Sequence, residues 1–175
     1  MSGRIGISGL PGSGKTTVAK LLSERKGMRF HSMGMLFRSV AESRGLTLGE
    51  LSSLAERDRS VDELIDREQT EILRSDDLVM DSRLSCWLMA RNDIPGLKVW
   101  ITAPFDVRAE RIAGREGVGV DDVRRMLRAR EMSEADRYKR YYDIDIRDLR
   151  VYDLIINNAW MSPEECCDII VSVIG

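Results

Sequence analysis

Apolar residues fall into short runs separated by longer stretches in which they recur every three or four positions. The runs are "RIGIS" (Arg4–Ser8), "MRFHS" (Met28–Ser32), "DLVMD" (Asp77–Asp81), "LKVWITA" (Leu97–Ala103) and "DLIINN" (Asp153–Asn158), and each predicts a strand. The last three are almost unbroken, the pattern of strands covered on both faces. Between the runs the period lengthens. Val18, Leu21 and Leu22 share one helical face, with Gly27 as the stop. Thr47–Glu50 and Ser60–Glu63 fit the S/T-x-x-E start signal, in which each side chain bonds the other residue's backbone N–H. Ser162-Pro163-Glu164-Glu165 opens a last helix, with Ile169, Ile170 and Val173 expected inside. Strands alternating with helices predict an α/β fold of three layers about a parallel sheet.

Two stretches break the alternation. Residues 38–75 are largely helical, charged and sparsely apolar, and residues 114–130 begin with "GREGVGV" and turn arginine-rich. Both are expected as excursions from the sheet, candidates for moving lids. Gly114, Gly117 and Gly119 are hinge candidates, a merely flexible loop being the equal alternative.

Composition narrows the function. A chain of 175 residues suggests one domain, and a formal charge of −2 gives no general field for nucleic acid or an anionic membrane. Anion binding must then be local. Three cysteines, two of them adjacent (Cys166, Cys167), form neither a disulfide framework nor a C-x-x-C metal spacing. With no signal-peptide core at the start and no apolar run of membrane length, cytoplasm is the expected compartment. The lone His31 is expected to be a packed or exposed residue rather than a catalyst.

The first run is followed directly by "GLPGSGKTT" (Gly9–Thr17), which fills G-x-x-x-x-G-K-[ST] at Gly9, Gly14, Lys15 and Thr16. Glycines let backbone N–H groups curl around phosphate oxygens, and a helix opening at Lys15 adds its own free N–H groups. Lys15 can reach the β- and γ-phosphates, Thr16 can ligate Mg²⁺, and Thr17 can donate to an inner phosphate. Asp81, at the end of its strand, would sit beside this cradle and hold Mg²⁺ through water; the plainer alternative is a strand-ending turn.

What is done with the triphosphate depends on the arginines. Arg111 and Arg115 are four apart, and Arg130, Glu134 and Arg137 share one helical face; Glu134 could simply neutralise both of its neighbours. Arg38 follows the second strand and Arg83 the third, so both are expected at the sheet's carboxyl edge. Guanidinium forks on both sides of a cradle suit in-line phosphoryl transfer, which spreads charge over equatorial oxygens.

These residues carry a resemblance. "ISGLPGSGKTTVAKLL", "GMLFR", "DSRLSCW", "RAERIAGREG", "REMSEADRY" and "YDLIIN" together resemble the nucleoside monophosphate kinases, most closely the archaeal-type cytidylate kinases, essentially end to end. That resemblance implies a P-loop kinase fold with a five-stranded parallel sheet of order 2-3-1-4-5. It implies a core of residues 1–37, 76–113 and 131–175, an acceptor-binding insertion at 38–75 and a lid at 114–130. It further implies transfer of the ATP γ-phosphate to CMP or dCMP, with Mg²⁺. The donor loop maps onto Ile7, Ser8, Gly9, Leu10, Pro11, Gly12, Ser13, Gly14, Lys15, Thr16 and Thr17, with Arg111 beside it. Lys15, Arg115, Arg130 and Arg137 are the implied catalytic groups, Arg38 and Arg83 with Arg130 and Arg137 the acceptor contacts, and Thr16 and Asp81 the metal ligands.

The chain departs from the pattern at Met35, Ser82 and Cys86, where an acidic residue and two glycines are usual. Adenylate kinases carry G-F-P-R where Ser82-Arg83-Leu84-Ser85 stands, which favours a cytidylate acceptor over an adenylate one. Arg57, Asp62, Asp66 and Gln69 are candidates to touch the acceptor base, an exposed helix face being the plainer reading of each. A regulatory nucleotide switch is the rival from another class, but the guanine reader N-K-x-D is missing. Expected partners are ATP and CMP or dCMP only, without nucleic acid or membrane, and the chain is expected to be a monomer.

Overall fold

A computed structural model describes residues 3–175, so the first two residues of the expected 1–37 core segment lie outside the described residues. Thirteen elements follow one another: β1 (Arg4–Ser8), α1 (Lys15–Lys26), β2 (Arg29–Ser32), α2 (Met33–Ser43), α3 (Leu48–Arg57), α4 (Arg59–Leu73), β3 (Leu78–Asp81), α5 (Ser85–Arg91), β4 (Leu97–Thr102), α6 (Phe105–Glu116), α7 (Val120–Tyr142), β5 (Leu154–Asn157) and α8 (Pro163–Ile174). All five expected strands form, each within a residue of its run. They pair in parallel in the order β2-β3-β1-β4-β5.

Alternation along the strands divides the core in two. Ile5, Ile7, Val79, Val99 and Ile101 face α1 and α8, where Val18, Leu22, Cys166 and Ile170 meet them. Leu78 and Met80, one position out of step with Val79, face the other way, toward Met33, Ile65, Leu73 and Met89. Gly6 lies on that second face because a Cβ there would stand 2.9 Å from Met89 Sδ and 3.0 Å from Cys86 Sγ. Cys86 in turn donates to the Gly6 carbonyl. Its departure from the family pattern is therefore a packing residue of the sheet.

Several local expectations need correction. The α4 cap is Asp58, whose carboxylate accepts from the Ser60 N–H; Ser60 already lies inside the helix and starts nothing. Thr47 and Ser162 do form full capping boxes. On α8 only Ile170 is inside; Ile169 and Val173 are exposed, because Cys166, Cys167 and Ile170 hold the inward positions of a 3.6-residue period. β5 is an edge strand rather than a covered one, and Ile155 is 49% exposed.

The two excursions turn out to be ordered. Residues 38–75 supply most of α2 with α3 and α4, and bury their own cluster of Ala41, Leu51, Ala55 and Val61. Residues 114–130 are no separate body: α6 runs on to Glu116, Gly117 caps it in the left-handed region at φ 68°, and α7 starts at Val120. Ala109, Ile112 and Ala113 of α6 pack against Val123 and Leu127 of α7, which makes the pair one helical hairpin. No described helix is long and apolar enough to cross a membrane.

Candidate active site

The glycine-rich loop joins β1 to α1 at the carboxyl edge of the sheet. Gly12 and Gly14 have φ of 79° and 84°, conformations costly for any residue with a Cβ. Gly9 has a second reason: a Cβ would sit 2.3 Å from the Ile101 carbonyl oxygen, backbone that cannot swing away. Gly14 is the α1 N-cap and offers no side chain to close the helix, so the first N–H groups of α1 remain for an anion.

The loop is pinned from two sides. Arg108, 4% exposed on α6, donates to the Pro11 and Ala103 carbonyls and ion-pairs with Glu131. Asn158, just past β5, donates to the Ser13 carbonyl at 2.8 Å. Arg111 joins it, donating to Asn158 Oδ1 at 3.0 Å and to its backbone carbonyl at 2.9 Å. Arg108 and Asn158 were missed from sequence. The signal for Arg108 was present: it stands three residues before Arg111 on the same helix, in register with it.

At the end of β3, Asp81 is 3% exposed and accepts from Thr16 Oγ1 at 2.6 Å and from Ser32 Oγ at 2.9 Å, both on Oδ2. Its other oxygen, Oδ1, is buried with no hydrogen-bond partner and has Lys15 Nζ at 3.8 Å. A hydroxyl beside a carboxylate with a free oxygen is a hard donor set, suited to a Mg²⁺ that keeps its remaining positions for phosphate and water. Burial lowers Lys15 to about 7, helped by Arg83 and opposed by Asp81.

Two of the expected arginines meet on Glu134, and a third, Arg137, stands one turn further along α7. Arg83 Nε donates to Oε2 at 2.8 Å and Arg130 Nε to Oε1 at 2.9 Å, so one carboxylate holds two guanidinium groups by the same nitrogen. Their terminal nitrogens are left as forks. Arg137, 3% exposed, is held instead by Asp62 at 3.0 Å and donates to Ser52. Glu134 thus bridges Arg83 and Arg130, neutralising only one of its two neighbours on α7. Arg38 is exposed on α2, and Arg115 lies exposed near the hairpin tip, paired with Glu116. Neither touches the cradle.

Burial alone would raise Glu134, but Arg83 and Arg130 outweigh it and hold the carboxyl down at about 2. Its folded pKa thus lies below the unfolded value of 4.5, so the pair stabilises above that pH and the gain is lost as pH falls toward about 2. Glu134→Gln is expected to cost on the order of 3 kcal/mol near neutrality. Urea unfolding of both proteins at about pH 7 and about pH 3 checks this, with the gap narrowing in acid.

Of the four base-contact candidates, Arg57 is exposed, Asp66 is half-buried, and Asp62 and Gln69 are buried on the inner side of α4. The exposed-face reading fails for these last two.

The sheet order and the glycine-rich loop after β1 are those of the P-loop kinase fold. The shikimate kinase from Bacteroides thetaiotaomicron shares the fold, with a TM-score of 0.65 at 18% identity over 99% of each chain. The profile of the cytidylate kinase-like family matches residues 4–159, and the chain belongs to that family. The cytidylate kinase of Methanocaldococcus jannaschii is 42% identical over 171 residues, covering 97% of this chain and 96% of its own. That of Methanopyrus kandleri is 41% identical, covering 97% of this chain and 92% of its own.

Proposed function

We propose that the protein transfers the γ-phosphate of ATP to CMP or dCMP, giving ADP and the nucleoside diphosphate. The observation that carries this is the Arg83–Glu134–Arg130 bridge standing beside the Lys15–Asp81–Thr16 group, in a chain about two-fifths identical to cytidylate kinases along its length. One cluster receives a triphosphate; the other offers forks to a second phosphate. A switch that only binds nucleotide has no use for the second.

In this reading residues 38–75 form the acceptor side and 114–130 the lid. The cradle N–H groups and Lys15 hold the β- and γ-phosphates. Arg83 holds the acceptor phosphate, and Arg130 and Arg137 lie between the two chains where charge builds as the bond to phosphorus changes. Thr16 and Asp81 would hold a Mg²⁺, which would supply neutralisation of the triphosphate's charge. Glu134 fixes both forks through Nε and leaves their planar ends for phosphate. Closure over the two substrates excludes water, a smaller nucleophile that would otherwise take the phosphoryl group.

The test is a coupled ADP-release assay across AMP, CMP, dCMP, GMP, UMP and shikimate. CMP and dCMP are expected to be fastest by a wide margin. Preference for AMP would overturn the acceptor and leave the fold; slow ADP release indifferent to any monophosphate would favour the switch.

A further inference from the structure

Among the described residues four ion pairs have both side chains nearly out of water. Three of them belong to the cleft: Lys15–Asp81, Arg83–Glu134 and Arg137–Asp62. The fourth, Arg108–Glu131, stands against the backbone of the phosphate loop, its side chains 5% and 12% exposed. A buried ion pair does little for stability that an apolar pair of similar volume would not often do as well. Its use must lie in what it joins.

Arg108 ties three segments together. Nε donates to the Ala103 carbonyl, just past β4, at 3.0 Å, and Nη1 to the Pro11 carbonyl, inside the phosphate loop, at 2.9 Å. Nη1 also donates to Glu131 Oε1 on α7. A planar fork can serve backbone and carboxylate at once, which an ammonium cannot do in one plane. The loop lies directly on α6 here: a Cβ on Gly12 would stand 2.7 Å from the Arg108 carbonyl oxygen and 3.0 Å from the Arg108 Cβ. Glu131 is the middle residue of α7 and follows Arg130 in the chain. Glu131 is held by Arg108, and Glu134, one turn on, is held by Arg83. Together they fix the roll of α7 and its distance from the loop.

We propose that Arg108 and Glu131 are positioning residues for phosphoryl transfer, a strut that sets Arg130 at a fixed distance from the phosphate loop. This rests on the role given to Arg130 above. The pair acts without touching a substrate. Loop backbone, guanidinium, carboxylate and helix stand in series, each short and stiff, so the Arg130 fork is already in place when charge develops on the transferred group. A misplacement of about 1 Å at a reacting centre can cost on the order of 10²-fold in rate, even when its cause lies away from the chemistry.

A double-mutant cycle tests this, read on the single-turnover rate of phosphoryl transfer to CMP at a temperature where every variant is folded. Glu131→Gln is expected to lower that rate about tenfold. KM for ATP should stay within about twofold, because Arg108 still holds the loop carbonyls. In an Arg130→Ala background the same change should lower the rate by less than about twofold, since the group it positions is gone. Glu131→Asp keeps the charge one methylene short and should show a smaller loss with the same dependence on Arg130; it replaces Glu131→Gln in the cycle if that variant does not fold. Equal losses in both backgrounds, or a lowered Tm with an unmoved rate, mark a merely structural pair and overturn the proposal. If Arg130→Ala alone leaves the rate unchanged, the role given to Arg130 fails and the proposal with it. If Arg130→Ala is slow while Glu131→Gln matches the wild type, only the strut is overturned.

Discussion

Lys15→Met is expected to lower kcat by roughly 10²- to 10³-fold while Tm changes little. The two halves of that result have one cause. Lys15 is 8% exposed, and burial presses its ammonium down to about 7. A charge held out of water without a full partner set costs stability, which an apolar side chain of similar length relieves, while the buried Asp81 carboxylate loses its nearby cation, so the two effects offset. The same desolvation makes the ammonium valuable once phosphate oxygens face it, since charge interactions strengthen where water is excluded. Loss of rate with a preserved fold follows; an unchanged kcat would remove Lys15 from the reaction. A second readout separates charge from shape. At about pH 8 the free lysine is largely neutral, and the triphosphate should draw a proton onto it. Calorimetry in buffers of different ionisation heat should show that uptake near pH 8, little of it near pH 6, and none in Lys15→Met.

Arg83→Ala is the acceptor-side counterpart. Arg83 spends Nε on Glu134 and presents its planar end, so alanine removes a fork and not only a charge. Acceptor KM should rise or kcat fall, with kcat/KM for CMP down by roughly 10²- to 10³-fold and KM for ATP nearly unchanged. Arg83→Lys should recover little, because a point charge cannot hold Glu134 and two phosphate oxygens in one plane. An undiminished rate in Arg83→Ala takes the residue out of the site. Glu134 keeps Arg130 in this variant, so stability should suffer less than in Glu134→Gln.

Strands and sheet order were legible because buried parallel strands must be apolar in short runs, and every run from Arg4–Ser8 to Asp153–Asn158 became one. The cradle was legible because its glycines and lysine are fixed in number and spacing. What failed were features decided by tertiary partners. Ser60–Glu63 satisfied a start signal, yet Asp58 took the cap. Ile169 and Val173 were hydrophobic enough to be inside, but only one face of α8 meets the sheet. Glu134 sat in plain view with Arg130 and Arg137, and spacing could not reveal that its second partner comes from the far side of the cleft. Asn158 carried no signal beyond its place after a strand, since its function depends on the Ser13 carbonyl well over a hundred residues away.

The pinning of the phosphate loop through the Pro11 and Ser13 carbonyls bears on how a nucleotide is captured. A segment clamped at two points has already surrendered most of its disorder during folding. Docking then levies little further entropic toll there. Whatever stiffening accompanies catalysis must be sought in the helices that arch above the cleft, not in the floor beneath it.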